Sequence, residues 1–236
     1  MENIKKSAVV IKGTPSPGDL ALINAQTIRE LKAEEVFTFR VAAADTLVDR
    51  DHEHFSKACL EKLAELYVGK PFITDHQWSC GNQVARVYAG AVEDAGGGVS
   101  RLILRCYMLR NEATGPIIAA IEAGINREVS VGVAVKSAVC SICGTDKAGG
   151  YCEHRPGKSY DGKLCTVELG DPEDAYEVSF VAVPAQREAG VVKSYAGDKE
   201  GLEDVPPENT ETARRKELAA RIALEQIKFI EEAASK

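Results

Sequence analysis

At 236 residues the chain has room for one domain with an appendage, or for two small domains. Apolar residues make up 44 %, enough for a real core, while a net charge of −7 with no long basic stretch argues against a nucleic-acid surface built on clustered Lys and Arg. No run of ~18 apolar residues occurs, so no membrane-spanning helix is expected.

The N-terminus, MENIKKSAVVIKG, opens like a secretory leader, but its apolar run is only AVVI. The chain therefore reads as non-secreted and cytosolic. TPSPGD is a turn-rich break, followed by a possible short helix over 25–34. VFTFRVAA alternates, with Phe37, Phe39 and Val41 on one face and Thr38 and Arg40 on the other, which predicts a half-buried strand. TLVDRDHEH reads as a polar loop. FSKACLEKLAELYVGKP places Leu60, Leu63, Ala64 and Tyr67 at helical spacing, stopped by Gly69 and Pro71. PFITDH predicts a short strand that delivers His76 at its end. VARVYAGAVE and SRLILRCYML predict a β-hairpin around DAGGG, and NEATGPIIAAIEAG predicts a helix closed by Gly124.

REVSVGVAVKS and AYEVSFVAVP predict two further strands, and EVS occurs in both, at 128–130 and 177–179. In the first, Val129, Val131, Val133 and Val135 share a face, leaving Ser130, Gly132 and Ala134 on the other. The hydroxyl of Ser130 thus emerges among small residues, where an incoming carbonyl has space. The same alternation puts Glu177 with Ser179. A serine between valines is commonly just a solvent-facing strand residue. It becomes a nucleophile only where a base and an orienting acid converge on it.

Several pieces recur together in a recognisable order. DRDHEHF stands at 49–55, GKPFITDH at 69–76, GNQVARV at 81–87, VSVGV at 129–133 and YEVSFVAVPAQREA at 176–189. In this order they resemble the capsid-maturation (prohead) proteases of tailed phages, which share a fold with the herpesvirus assemblins; the resemblance runs from about residue 36 to 192. It implies an α+β fold, a mostly antiparallel β-barrel flanked by helices. It also implies a serine endopeptidase with Ser130 as nucleophile, His76 as general base and Glu177 as third member, Asp75, His52 and His54 being the alternatives for that last role. The oxyanion donors would be backbone N–H groups. The implied substrates are the phage scaffolding protein, the major capsid protein precursor and the chain itself, cleaved inside the procapsid in the host cytoplasm, with self-association and without nucleic acid or membrane. Two features depart from the family pattern: HEH in place of small Asp-Gly loop residues, and a cysteine-rich insert between Ser130 and Glu177.

Four of the seven cysteines, Cys140, Cys143, Cys152 and Cys165, fall in that insert, placed at 138–170. In a reducing compartment such clustering reads as metal ligation before disulfides. CSICG has the form of a zinc knuckle: a tight turn aims two thiolates at one ion, with Gly144 permitting φ > 0. Five candidates compete for four places. Cys140, Cys143 and Cys152 are favoured, with His154 or Cys165 closing the tetrahedron. A closed site of this kind predicts structural zinc, with no cofactor in catalysis. A zinc-deaminase reading is excluded, because His-x-Glu and Pro-Cys-x-x-Cys are absent. Cys59, Cys80 and Cys106 are expected as small buried hydrophobes.

The expected organisation is a protease-like domain over 1–195, a polar linker over 196–211 and an amphipathic helix over 212–236, which the resemblance offers as the start of a scaffolding region. Leu218, Ala219, Ile222, Phe229, Ile230 and Ala233 lie on one side of that helix. A non-enzymatic reading competes with the protease: the same fold as a zinc-stabilised scaffold or assembly module of the procapsid with an idle serine. A free-standing zinc-ribbon adaptor is a weaker third.

Overall fold

The structure, a computed structural model, describes residues 13–192. The expected linker and C-terminal helix, and the N-terminal leader-like segment, lie outside the described residues. The first helix, α1 (Pro17–Asn24), precedes the 25–34 window in which a helix was expected. The cause is local: Ser16 and Asp19 form a reciprocal capping box around Pro17, so the apparent turn TPSPGD is a helix start.

The order continues with β1 (Val36–Asp45), β2 (Glu53–Phe55), α2 (Lys57–Leu66), β3 (Pro71–Thr74), β4 (Ala85–Asp94), β5 (Ser100–Leu109) and α3 (Gly115–Glu122). It ends with β6 (Val129–Cys140), β7 (Ser159–Tyr160), β8 (Lys163–Leu164), β9 (Val167–Phe180) and β10 (Gly190–Val191). The fold is α+β. One mixed sheet runs β10-β1-β5-β4-β3-β9-β2, and β6 pairs with β9 off this path. Most pairs are antiparallel, but β9 is parallel to both β2 and β3. Among the described residues the strand ladders alone trace no closed barrel, and the starts of β6 and β10 meet at the isolated antiparallel bridge Glu128↔Gly190, beside a 2.8 Å hydrogen bond from Val191 N–H to Arg127 O.

The core lies between the sheet and α2. The alternation of β1 delivers Phe39 to an aromatic cluster with Phe72 and Phe180, whose rings stand 4.5 Å apart. Helix α2 is capped by Ser56 and turns Cys59, Leu60, Leu63 and Ala64 onto the sheet. This burial, at about 25 cal/mol per Å² of apolar surface, is the main force holding α2 in place. Cys59 and Cys106 are buried as expected, and burial pushes both thiols up, Cys59 to about 11. Cys80 is the exception: it sits exposed in a one-turn 3₁₀ helix over Cys80–Asn82.

Two expectations about loops are corrected. Glu53–Phe55 leaves the polar loop to pair with Val167–Leu169. The cysteine-rich insert does not interrupt the strands around it. β6 and β9 stay paired up to Cys140↔Val167, so the lobe spans 141–166 and sits at the tip of their ladder. No helix among the described residues is long and apolar enough to cross a membrane.

Candidate functional site

Strand β3 ends at Thr74, and the next two residues, Asp75 and His76, both adopt left-handed backbone, with φ of 53° and 51°. For non-glycine residues each such conformation costs of order 1–2 kcal/mol, so the surroundings must impose it. They do so through three contacts. Asp75 N–H donates to Phe180 O at 2.8 Å, His76 N–H donates to Ser179 Oγ at 2.9 Å, and Asn82 Nδ2 donates to Thr74 O at 2.9 Å. The turn is thereby pinned to β9.

The result is that the imidazole of His76 reaches back over Glu177. Nδ1 lies 2.7 Å from Glu177 Oε1. The carboxylate is buried, with 4 % of its side chain exposed, while the histidine side chain is 43 % exposed. The contact suits the tautomer protonated on Nδ1, which leaves Nε2 as the nitrogen able to accept a hydrogen bond. Burial pushes the Glu177 carboxyl up from its ordinary value, and the hydrogen bond to His76 works against this. Glu177 Oε2 is buried with no partner among the described residues. Of the alternative acids, His54 pairs with Glu168 at 3.6 Å, and the His52 ring packs against Gly157 in the cysteine-rich lobe. Neither contacts His76. Asp75 is exposed beside it.

Ser130 lies one strand away. It is the register partner of Ser179, the residue that holds the His76 backbone, and Gly132 is the partner of Glu177. Directly opposed residues of an antiparallel pair share a face, so Ser130, Gly132, Glu177 and Ser179 all present to one side of the sheet. Val129, Val178 and Phe180 present to the core. Ser130 is half-buried and makes no side-chain hydrogen bond among the described residues. Ser–base contacts are often loose before substrate binds.

Gly132 and Ser179 shape this candidate site, and the sequence did not single them out for it. A Cβ on Gly132 would stand 2.7 Å from Glu177 Oε1, and the Gly132 carbonyl accepts from the buried Tyr67 hydroxyl at 3.0 Å. The glycine therefore leaves the space in which the carboxylate meets the imidazole. Gly132→Ala is expected to displace that carboxylate and break the 2.7 Å contact. The His76 imidazole resonances in NMR would then lose the low-field Nδ1 proton, while the far-ultraviolet circular dichroism stays that of the wild type. The signal for Gly132 was its place two residues after Ser130 on the same face, and the signal for Ser179 was the repeated EVS.

The second constellation is the cysteine-rich lobe. Cys140 Sγ, Cys143 Sγ, Cys152 Sγ and a ring nitrogen of His154 all lie within 4.8 Å of one another. Cys143 Sγ is 3.4 Å from Cys152 Sγ, which is 3.3 Å from His154 Nδ1. A tetrahedral Zn²⁺ with bond lengths of about 2.3 Å to sulfur and 2.0 Å to nitrogen has ligand–ligand edges of about 3.5–3.8 Å. The four donors fit a metal ion of that size. Gly144, at φ 71°, makes the knuckle turn, and its N–H donates to Cys140 O at 2.9 Å. Hydrogen bonding to Thr145 pulls the Cys143 thiol down. Cys165, the fifth candidate, falls outside the cluster. It is buried, with its Sγ 3.8 Å from Cys140 Sγ, because it lies at the base of the lobe next to the start of β9. His154 therefore takes the fourth place.

Comparison with protein-family models, with curated proteins and with solved structures finds no match to this chain.

Proposed function

We propose that the chain is a serine endopeptidase of the prohead-protease type, cleaving phage scaffolding and capsid precursor proteins, and itself, inside the procapsid. The observation that carries this reading is the 2.7 Å contact between His76 Nδ1 and Glu177 Oε1, made by a turn strained into place beside Ser130's register partner. In the proposed cycle Ser130 Oγ attacks the scissile carbonyl carbon and its proton passes to His76 Nε2. Glu177 stabilises the imidazolium through Nδ1–H. The imidazolium then protonates the departing amine, and water attacks the acyl-enzyme by the same route in reverse. The finer reading of the sheet is an assemblin-like barrel closed at the Glu128↔Gly190 bridge. In the lobe, Cys140, Cys143, Cys152 and His154 would hold zinc with a structural role, since four protein ligands leave no open position for substrate.

One observation favours the second reading, a zinc-stabilised assembly module without activity: Ser130 makes no hydrogen bond to His76 among the described residues. Intact-mass spectrometry separates the two. Wild-type and Ser130→Ala proteins are co-expressed with the scaffold and capsid precursor. Defined fragments are expected with wild type alone, together with a fluorophosphonate adduct on Ser130. Intact partners in both cases, with shells assembled normally and no adduct, would establish the module instead.

A further inference from the structure

A cleft of about 370 Å³ opens beside the His76–Glu177 pair, and nothing in the proposed cycle uses it. Its walls include Ile73, Trp78, Tyr176 and Glu177, with Lys70 and Cys80 at its sides. The volume falls at the lower end of the range of ligand pockets, roughly 300–1,000 Å³, and the cleft is open to solvent on one side. Two aromatic rings frame it: Trp78 and Tyr176 stand 5.3 Å apart at 54°. Both are unusually open for their size, Trp78 at 69 % and Tyr176 at 40 % exposure. Large exposed aromatic surface rimming a concavity marks a place where apolar contact is to be completed by something else.

The charges at the cleft decide what that something is. Lys70 Nζ is already matched by Asp174 Oδ1 at 2.8 Å, and Glu177 is already matched by His76 at 2.7 Å. Neither charge is left over to recruit an opposite one, so a charged group entering the cleft would be desolvated without a partner. The complementary occupant is a large uncharged side chain.

Position decides where that side chain comes from. Glu177 belongs both to the cleft and to the proposed triad, and Trp78 follows His76 by two residues. The cleft therefore adjoins the reacting groups, and a polypeptide bound extended at them would direct alternate side chains at the surface. We propose that this cleft is a specificity subsite of the protease, taking a large apolar residue such as Phe, Leu or Met of the substrate next to the scissile bond. The proposal rests on the protease reading for its meaning, but occupancy of the cleft can be measured without it.

Trp78 is the chain's one tryptophan, so its fluorescence reports this cleft directly. Wild-type and Ser130→Ala proteins are titrated with the N-acetyl amides of Phe, Leu, Asp and Lys. A saturable blue shift is expected with Phe and Leu and not with Asp or Lys, and it should be lost in Tyr176→Ala. In parallel, wild type is given a peptide library and the residues flanking each cut are read by mass spectrometry. Enrichment of large apolar residues at one position is expected. Trp78→Ala should lower kcat/KM for those peptides by about tenfold or more, while peptides with Ala at that position change by less than about twofold. A blue shift without any cleavage would keep the cleft as an apolar subsite and remove the protease reading. No saturable shift with any amide, or cleavage with no apolar preference, would overturn the subsite.

Discussion

Ser130→Ala is expected to lower kcat by about 10⁶, and Glu177→Gln by about 10⁴, with the fold intact in both. The first figure is the usual cost of removing a triad nucleophile, and what remains is catalysis by binding and backbone donors. The second depends on which way the new amide turns. Glu177 Oε2 is buried without a partner among the described residues, whereas Oε1 meets His76 Nδ1 at 2.7 Å. An amide NH₂ in the Oε2 position would be a buried donor with no acceptor, costing about 1–3 kcal/mol. The NH₂ therefore turns to His76 and donates to Nδ1. That forces the imidazole proton onto Nε2, the atom that must accept the proton of Ser130. Single-turnover kinetics on a cleavable peptide would check both figures. A Glu177→Gln protein with more than about a tenth of wild-type kcat would show that Glu177 is not the orienting acid.

The same substitution is expected to stabilise the protein while disabling it. Burial raises the Glu177 carboxyl, so the folded chain keeps this proton to higher pH than the unfolded chain does. A group of this kind contributes its full stability below its unfolded value, and that contribution is lost as pH rises through the raised folded value. Gln carries no such dependence. The melting temperature of Glu177→Gln should therefore match that of wild type under acid conditions, exceed it once pH has risen through the raised folded value, and keep a constant excess from there to pH 8. An equal or lower value at pH 8 would mean that the imidazole fully compensates the buried charge.

How much of this was legible in the sequence depends on whether the signal was local. The alternation of VFTFRVAA, the glycine turn between β4 and β5 and the helical spacing of Leu60 and Leu63 are local, and each predicted element formed. Partner choice is not local. Nothing in PFIT states that it runs parallel to β9, yet that pairing carries His76 to Glu177. The strand character of GDPED, just before the expected strand AYEVSFVAVP, was hidden for a similar reason. Pro172 and the acidic residues carry no strand alternation, and the segment is extended because β6 offers a long ladder, with irregular register near Pro172. The side on which Ser130 emerges followed from period-two alternation alone. Its neighbours across the ladder, Ser179 and Glu177, followed only from register. For the lobe, cysteine spacing gave five candidates, and only the fold could divide them, by placing Cys165 at the base.

Metal content offers the other large effect. Of residues 141–166 only Cys165 is buried, and the strands inside the lobe, β7 and β8, have two residues each. A segment with so little apolar burial cannot offset its own ordering entropy, at about 1–2 kcal/mol per residue. A metal ion joining four side chains supplies a large share of what is missing, apparent values for structural zinc in small peptides being about 10–16 kcal/mol, and the lobe's hydrogen bonds and the ladder at its base carry the rest. The purified protein is expected to carry one zinc per chain. Chelation, or Cys143→Ser, should remove it and raise amide hydrogen exchange throughout 141–166 to near the rate of unstructured peptide. β9 beyond Ala175 should stay protected, because its core residues Ala175, Val178 and Phe180 pack independently of the lobe. Cys165→Ser is the discriminating control. Its thiol is outside the four-atom cluster, so this protein should retain one zinc, whereas His154→Ala should lose at least about a hundredfold in zinc affinity. The reverse pattern would assign the fourth place to Cys165. Unchanged exchange in the metal-free lobe would mean that the Cys140–Val167 end of the ladder, with the 2.8 Å hydrogen bond from Thr166 N–H to Ser141 Oγ, suffices to order it.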